Sequence, residues 1–150
     1  MFINLFSSEQ EKIVPNHSFI VTIGPLVFSF MKISNITSSI DYDSVPEGGN
    51  NDYPNLFQKQ KNNADTLILE KCVKSGPAEA AFSLLREGVQ VEVVNVLVLK
   101  NDIPVKNFFF QKGIIIKREF STLDATRSEL FIQKIEIAHS GLVEIPLPSI

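Results

Sequence analysis

The residues able to carry chemistry in this chain of 150 residues are few and scattered. The two histidines, His17 and His139, lie in segments predicted to be extended, and no second metal ligand stands near either of them in the sequence. We therefore predict a surface or ring-contacting imidazole at both positions, and not a metal ligand or general base. Cys72 is the single cysteine. It excludes an internal disulfide and a multi-cysteine metal site, and we expect it to pack as a small apolar side chain.

Four acidic residues, Asp41, Asp43, Glu47 and Asp52, come close together and resemble a set of calcium ligands. Their spacing does not match the EF-hand loop with its closing bidentate glutamate. The chain contains no nucleophile elbow, no phosphate-binding loop and no His-Glu-x-x-His zinc motif, and no carboxylate pair stands out. The sequence therefore predicts a protein that is not an enzyme and uses no metal or cofactor.

One glycine-rich stretch follows a short alternating run, Ile40 to Val45, and precedes the polar segment Pro54 to Asn63. Two adjacent glycines adopt backbone conformations closed to other residues, and Asn and Asp tolerate the left-handed region. Such a segment turns sharply and offers its backbone to a partner, although a solvated hairpin tip fits the same pattern. We predict a protruding arm loop over 46–63 and a return strand at Ala64 to Val73. The candidate contact residues are Glu47, Gly48, Gly49, Asn50, Asn51, Asp52 and Tyr53.

The rest of the chain favours strands, because β-branched and aromatic residues dominate its apolar runs. The turn dipeptide Gly24-Pro25 separates the first two runs, and Asn101-Asp102 forms a later turn. The second run is apolar at alternate positions on both faces, which predicts a strand covered on two sides. We expect Gly113 to break the chain between two strands. The predicted strands are Ser18–Ile23, Leu26–Ser34, Val89–Leu99, Val105–Gln111, Ile114–Ile116 and Glu129–Ala138.

A single short helix is predicted after Ser75, which can cap it. Pro77 suits its first turn, and the carboxylate of Glu79 complements the positive end of the helix dipole. The apolar spacing predicts a helix of about three turns. Its end is expected at Gly88, and its residues Phe82 and Leu85 should dock against a sheet.

Length and composition indicate one globular domain over 1–150, with a leader at 1–17. A net charge of -3 argues against a strongly basic nucleic-acid-binding surface. The apolar start has no secretory signal and cannot span a bilayer, so we expect cytoplasmic synthesis. The predicted fold is mainly β: a β-sandwich or barrel with one short flanking α-helix and an extended hairpin arm. An open sheet leaves unpaired edges, which identical copies could close by forming a ring.

Several segments, in order, resemble the contractile-tail tube proteins of phages and of extracellular contractile injection systems. The most specific are the Glu-Gly-Gly-Asn-Asn block and the Glu-Ile-Ala-His-Ser-Gly-Leu ending. The resemblance covers nearly the whole chain. Its segments are Phe19–Gly24, Phe30–Ile36, Tyr42, Glu47–Asp52, Leu67–Lys71, Asp124-Ala125, Ser128-Glu129 and Ile135–Leu142.

This resemblance implies homo-hexameric rings that stack into a hollow inner tube for cargo delivery, inside a contractile sheath. The implied partners are further copies of the chain, a sheath protein, baseplate and tube-initiator proteins, a tail terminator and cargo in the lumen. No membrane is implied in the resting state, and the mature location is a phage-tail-like particle. The arm would contact the neighbouring ring through Asn50, Asn51 and Asp52.

The chain departs from the family pattern at Phe57–Asn63 and at Cys72, where members commonly have a Leu-Pro-Gly segment and a glycine. A tube-initiator subunit of the baseplate is therefore an alternative. Two other classes stay open. One is a monomeric soluble binding module, and the other is a secreted effector or chaperone-like ring related to type VI secretion tubes, which would form rings but not sheathed tubes.

Overall fold

The structure is a computed structural model. It describes residues 17–47, 50–61 and 63–147, with the backbone alone at Glu47 and at 50–53. The elements in chain order are β1 (His17–Ile23), β2 (Leu26–Phe30), β3 (Lys32–Ser34), β4 (Asp41–Glu47), β5 (Asn50–Lys59), β6 (Asp65–Cys72), α1 (Pro77–Phe82), β7 (Gln90–Lys100), β8 (Ile103–Phe120), β9 (Ile132–His139) and β10 (Val143–Ile145).

The main sheet closes on itself. Its strand order is β2-β1-β7-β8-β9-β6-β3, and β10 pairs with the first half of β8. Strands β2 and β3 stand at opposite ends of this order, yet Met31 alone separates them in the chain. The two ends therefore meet, and the Met31 N–H donates to the Glu70 carbonyl at 3.0 Å across the seam. The predicted sandwich or barrel is a barrel, and most of the edges assumed to be open are paired within one subunit.

Alternation along the strands fills the barrel. In β1 and β2 the inward-facing side chains are buried. The outward-facing Val27 in β2 is 62% exposed, and Met31, which follows β2, is 49% exposed. The prediction that this segment is covered on both faces is therefore wrong: it lies at the seam of a closed barrel, and only its inner face meets the core. The buried apolar residues are Val21, Ile23, Phe28, Phe30, Leu67, Leu69, Phe82, Leu85, Val91, Val94, Val96, Phe110, Ile115, Ile135, Ile137 and Leu142.

Helix α1 is shorter than predicted, and its cap differs. Gly76 is the N-cap residue, with φ 125°, and no side chain caps the helix. The expected cap by Ser75 is therefore wrong. The Glu79 carboxylate accepts a hydrogen bond from the Lys74 N–H at 3.0 Å, which ties the first turn to the segment before the helix. Gly88, with φ 89°, lies in a later turn and does not end the helix.

Arg118 binds the carbonyls at the end of the helix. Its guanidinium donates to the carbonyls of Phe82 and Leu85, both at 3.1 Å. The Phe82 carbonyl also accepts the Leu85 N–H at 3.1 Å in a tight turn, so both carbonyls are paired where the helix ends. The same group donates to Gln133 Oε1 at 3.0 Å, and the Gln133 amide donates to Glu79 at 2.9 Å. The predicted docking of Phe82 and Leu85 on the sheet is confirmed, since both are buried.

Strand β8 passes through Gly113 without a break, contrary to the prediction. A Cβ built at this position would lie 2.9 Å from the Ala138 carbonyl, 2.9 Å from Ile137 Cγ2 and 2.9 Å from Phe110 Cε2. Glycine is thus required by the close approach of β9 and the core, and not by a turn. The register between β8 and β9 shifts just beyond it.

Candidate functional site

A two-stranded hairpin, here called the arm, stands apart from the barrel sheet. Strands β4 and β5 pair in one register from Asp41 opposite Lys59 to Val45 opposite Asn55, and after a register shift Glu47 lies opposite Asn50. The seven residues of β4 extend over about 23 Å at roughly 3.3 Å per residue. Strand β5 includes most of the stretch from Pro54 onward that the sequence assigns to a loop. The expected return strand, β6, instead joins the barrel between β3 and β9.

The predicted contact residues lie at the far end of the arm. Glu47 closes β4, and Asn50, Asn51, Asp52 and Tyr53 open β5. Gly48 and Gly49, which connect the two strands in sequence, lie outside the described residues. The prediction that this stretch contacts a neighbouring ring remains a prediction.

One face of the arm is largely apolar. Because cross-strand partners share a face, Tyr42 opposite Gln58 and Ser44 opposite Leu56 lie on the same side. Leu56 is 65% exposed, and Tyr42 and Ile40 are similarly open. These side chains line a shallow groove together with Pro54. An isolated hairpin is marginally stable in water, and a contiguous exposed apolar face marks an interaction surface.

The opposite face of the arm is more polar. Asp43 and Lys59 form an ion pair at 3.4 Å, and Phe57 and Val45 are exposed beside it. The two faces therefore differ in character, so the arm has a defined apolar side to present to a partner.

A compact polar cluster fixes the base of the arm to the barrel. The Lys61 ammonium donates to the Ser39 carbonyl at 3.1 Å and to the Ser39 hydroxyl at 3.0 Å, and it forms an ion pair with Asp65. Ser39 precedes β4, Lys61 follows β5 and Asp65 begins β6. The hydrogen bond from Lys61 lowers the pKa of Asp65 below its ordinary value. The cluster thus joins both ends of the arm to one barrel strand.

His139 lies directly across the sheet from Asp65. Its ring is buried and stacks on Phe110 with centroids 4.9 Å apart, which confirms the ring-contact alternative; the surface alternative is wrong. Neither ring nitrogen has a hydrogen-bond partner among the described residues. Burial lowers the pKa of His139, with Asp65 acting in the opposite direction. His17, by contrast, is exposed.

Lys71 is a buried cation that no motif in the sequence singles out. Its ammonium lies 5.2, 5.9 and 4.9 Å from the ring centroids of Phe28, Phe30 and Phe82. Desolvation lowers its pKa. The signal in the sequence is its position, since Lys71 continues the inward alternation of Leu67 and Leu69.

Across the described ranges, no cluster of three or more His, Cys, Asp or Glu residues is arranged to hold a metal ion. Cys72 is partly buried, and its sulfur lies 3.7 Å from that of Met31. The part of the chain that the structure describes has no helix of the length and hydropathy needed to cross a bilayer.

Comparison with known proteins gives structural matches alone. No family model and no curated protein sequence matches the chain. A chain of the extended sheath–tube complex of the PVC extracellular contractile injection system superposes with a TM-score of 0.68 at 18% identity, over 95% of this chain and 97% of that one. A chain of the six-fold symmetrised baseplate of the anti-feeding prophage gives 0.63 at 20% identity, over 89% and 94%.

A more distant match is Hcp1 from Flavobacterium johnsoniae, with a TM-score of 0.51 at 13% identity, over 85% of this chain and 94% of that one. At these identities the similarity establishes the fold, and it covers nearly the full length of all three chains. The resemblance to tube proteins of contractile systems, drawn from the sequence, is confirmed at the level of the fold.

Proposed function

We propose that this protein is a structural subunit of the inner tube of a contractile injection system or phage tail. The observation that carries the proposal is the agreement in fold with a chain of a sheath–tube complex over 95% of this chain. In this role copies form hexameric rings, the rings stack into a hollow conduit, and the conduit delivers cargo. The role is structural and requires no catalysis.

The arm is the element that we assign to stacking. It extends beyond the barrel, its base is fixed by Lys61 and Asp65, and its apolar face is open to a neighbouring copy. Burial of such a face contributes about 25 cal/mol per Å² of apolar surface, and the contact repeats in every subunit of a ring. The tip residues Asn50, Asn51 and Asp52 would add hydrogen bonds to the contact.

The same fold accommodates the tube-initiator role at the baseplate, because a chain of the anti-feeding prophage baseplate matches as well. The initiator contacts baseplate proteins on one side and tube rings on the other. The body subunit contacts further copies, the surrounding sheath, and a tail terminator at the end of the tube. We place the protein in the tube body, synthesised in the cytoplasm and then incorporated into a phage-tail-like particle.

Light scattering and negative-stain microscopy of the purified chain test this proposal. We expect rings at moderate concentration and stacked tubes at high concentration. The variant Leu56→Ser should abolish stacking and leave single rings, because it removes an exposed leucine from the apolar face of the arm. Leu123→Ser is the matched control, since Leu123 is 72% exposed in a loop away from the arm. A wild-type protein that stays monomeric at every concentration refutes the proposal and favours a soluble binding module.

A further inference from the structure

His139 carries a buried imidazole without a hydrogen-bond partner in the protein. Its side chain is 1% exposed, and neither ring nitrogen is bonded to another of the described residues. Buried polar groups are ordinarily paired, because an unpaired donor or acceptor has lost its hydrogen bonds to water. The histidine also belongs to the Glu-Ile-Ala-His-Ser-Gly-Leu segment, and the stacking of rings gives it no role. Its burial therefore requires an explanation of its own.

The ring lies at the end of the barrel from which the arm leaves. His139 ends β9 on the inner face that Ile137 also occupies, and its register partner Asp65 begins β6 on the same face. Its partner on the other side, in β8, is Gly113, whose missing side chain leaves the space into which the Phe110 ring packs. The imidazole is thus held between an aromatic ring and the strand that bears Asp65.

Asp65 links this ring to the arm. Its carboxylate forms the ion pair with Lys61 and accepts a hydrogen bond from the Ser39 hydroxyl at 3.3 Å. Ser39 precedes β4 and Lys61 follows β5, so a single carboxylate holds both ends of the hairpin. The side chains of Asp65 and Lys61 are each 19% exposed, so water screens the pair only in part. Displacement of this carboxylate would therefore loosen the arm as a whole.

The charges around the ring do not accommodate a second cation. Asp65 and Lys61 are the charged side chains that act on His139, and their effects on its pKa are opposite in direction. The neighbours Phe110, Gly113 and Ile137 carry no charge. A proton on the imidazole would place two cations beside one carboxylate and would make both ring nitrogens donors. Of these described neighbours, Asp65 alone has a side chain that can accept a hydrogen bond from the ring.

We infer that His139 is an acid-sensitive switch for the arm. Protonation of its imidazole draws the Asp65 carboxylate toward the ring and away from Lys61 and Ser39, so the base of the arm opens and water reaches the histidine. At neutral pH the uncharged ring stays packed on Phe110 and leaves the carboxylate to Lys61. The switch is a property of the single subunit, whereas its consequence for stacking rests on the proposed function.

The sign of the pH dependence follows from the burial of the ring. Burial lowers the pKa of His139 below its ordinary value of 6.5, despite the opposing attraction of Asp65. In the opened base the ring is solvated, so its pKa returns toward that ordinary value. Between these two pKa values the opened state holds more protons than the closed one, and a fall in pH therefore favours opening, by up to about tenfold per pH unit. Above pH 6.5 the ring is neutral in both states and the arm stays closed.

Hydrogen exchange of unassembled subunits tests the switch. From about pH 7.5 to about pH 5.5, we expect the protection factors of the β4 and β5 amides to fall by up to about tenfold in the wild type. His139→Phe keeps an aromatic ring against Phe110 and removes the titrating group, so its protection factors should stay constant over this range. His17→Phe is the matched control, because it removes the other histidine of the chain, which is exposed at the start of β1. It should show the wild-type loss.

Two results would overturn the inference. One is a wild-type arm that is equally protected at both pH values, a measurement that needs no variant. The other is an equal loss of protection in the wild type and in His139→Phe. His139→Gln is a second variant without a titrating ring, and it gives the same test if His139→Phe does not fold by circular dichroism.

Assembled tubes test the consequence for stacking. On transfer from about pH 7.5 to about pH 5.5, wild-type tubes should separate into single rings, seen by negative-stain microscopy and as a loss of light scattering, while His139→Phe tubes stay stacked. Wild-type tubes that stay stacked although arm protection falls would overturn the link between the switch and stacking. The absence of tubes at every pH would instead refute the proposed function, and the exchange experiment would still decide the switch.

Discussion

Replacing Gly113 by alanine is expected to destabilise the subunit without changing its assembly surfaces. The new methyl group would meet the Ala138 carbonyl, Ile137 Cγ2 and Phe110 Cε2, each at 2.9 Å, and two of these atoms belong to a strand held on both sides. Overpacking of this kind costs about 1–3 kcal/mol. For a domain of this size the melting temperature should fall by about 3–10 °C. Circular dichroism of unassembled subunits measures the change.

Gly141→Ala is the matched control. A Cβ at Gly141 meets nothing within 4 Å, and its backbone needs no left-handed conformation. The melting temperature of Gly141→Ala should differ from that of the wild type by no more than the shift that about 0.5 kcal/mol of unfolding free energy produces. Equal melting temperatures for the two alanine variants would show that β8 and β9 separate easily at this point, and the steric explanation for Gly113 would then be refuted.

Further predictions concern the helix and the base of the arm. Arg118→Ala should cost about 2–4 kcal/mol of unfolding free energy by denaturant titration, because the Leu85 carbonyl and Gln133 Oε1 lose the Arg118 donor and the Phe82 carbonyl keeps only the Leu85 N–H. Arg118→Lys should restore less than half of this loss. The pKa of Asp65 in the folded protein lies below 3.8. Its ionised carboxylate therefore stabilises the base of the arm above pH 3.8, and this stabilisation is lost as the pH falls through the lower pKa of the folded state. The protection factors of the arm amides, which are exchange rates corrected for the intrinsic effect of pH, should therefore fall under acid in the wild type, while Asp65→Asn should show low protection already at neutral pH. Wild-type protection factors in the arm that do not change under acid would contradict the role given to the Lys61 pair.

Much of the barrel could be predicted, because alternation of apolar residues is a local property of the chain. The turns at Gly24-Pro25 and Asn101-Asp102 follow the expected residues, and Gly24, Asn101 and Asp102 have positive φ. Segments whose structure depends on residues distant in the sequence are harder to predict. Gly113 resembles a break until the neighbouring β9 is present. Likewise, the closure of the sheet at Met31 depends on the order in which remote strands pair.

The candidate site was predicted in part for the same reason. The glycine-rich stretch is a local signal, and the strands on either side of it, β4 and β5, form the predicted hairpin arm. Strand β5, however, is polar and forms against β4 without an alternating pattern of its own. Lys71 was missed because a lysine in a strand is ordinarily solvated. Its burial follows from three phenylalanine rings supplied by β2 and α1, which no spacing in the sequence brings together.

The closure of the barrel at Met31 limits how unassembled subunits can associate. A single nine-residue stretch supplies both edge strands of the barrel sheet, β2 and β3. The barrel therefore has no long unpaired strand edge to which another copy could add. Newly made molecules can therefore accumulate without fusing into disordered aggregates. Under the proposed function, association between copies would depend on the short β10 edge and the projecting arm, both of which need a correctly oriented neighbour.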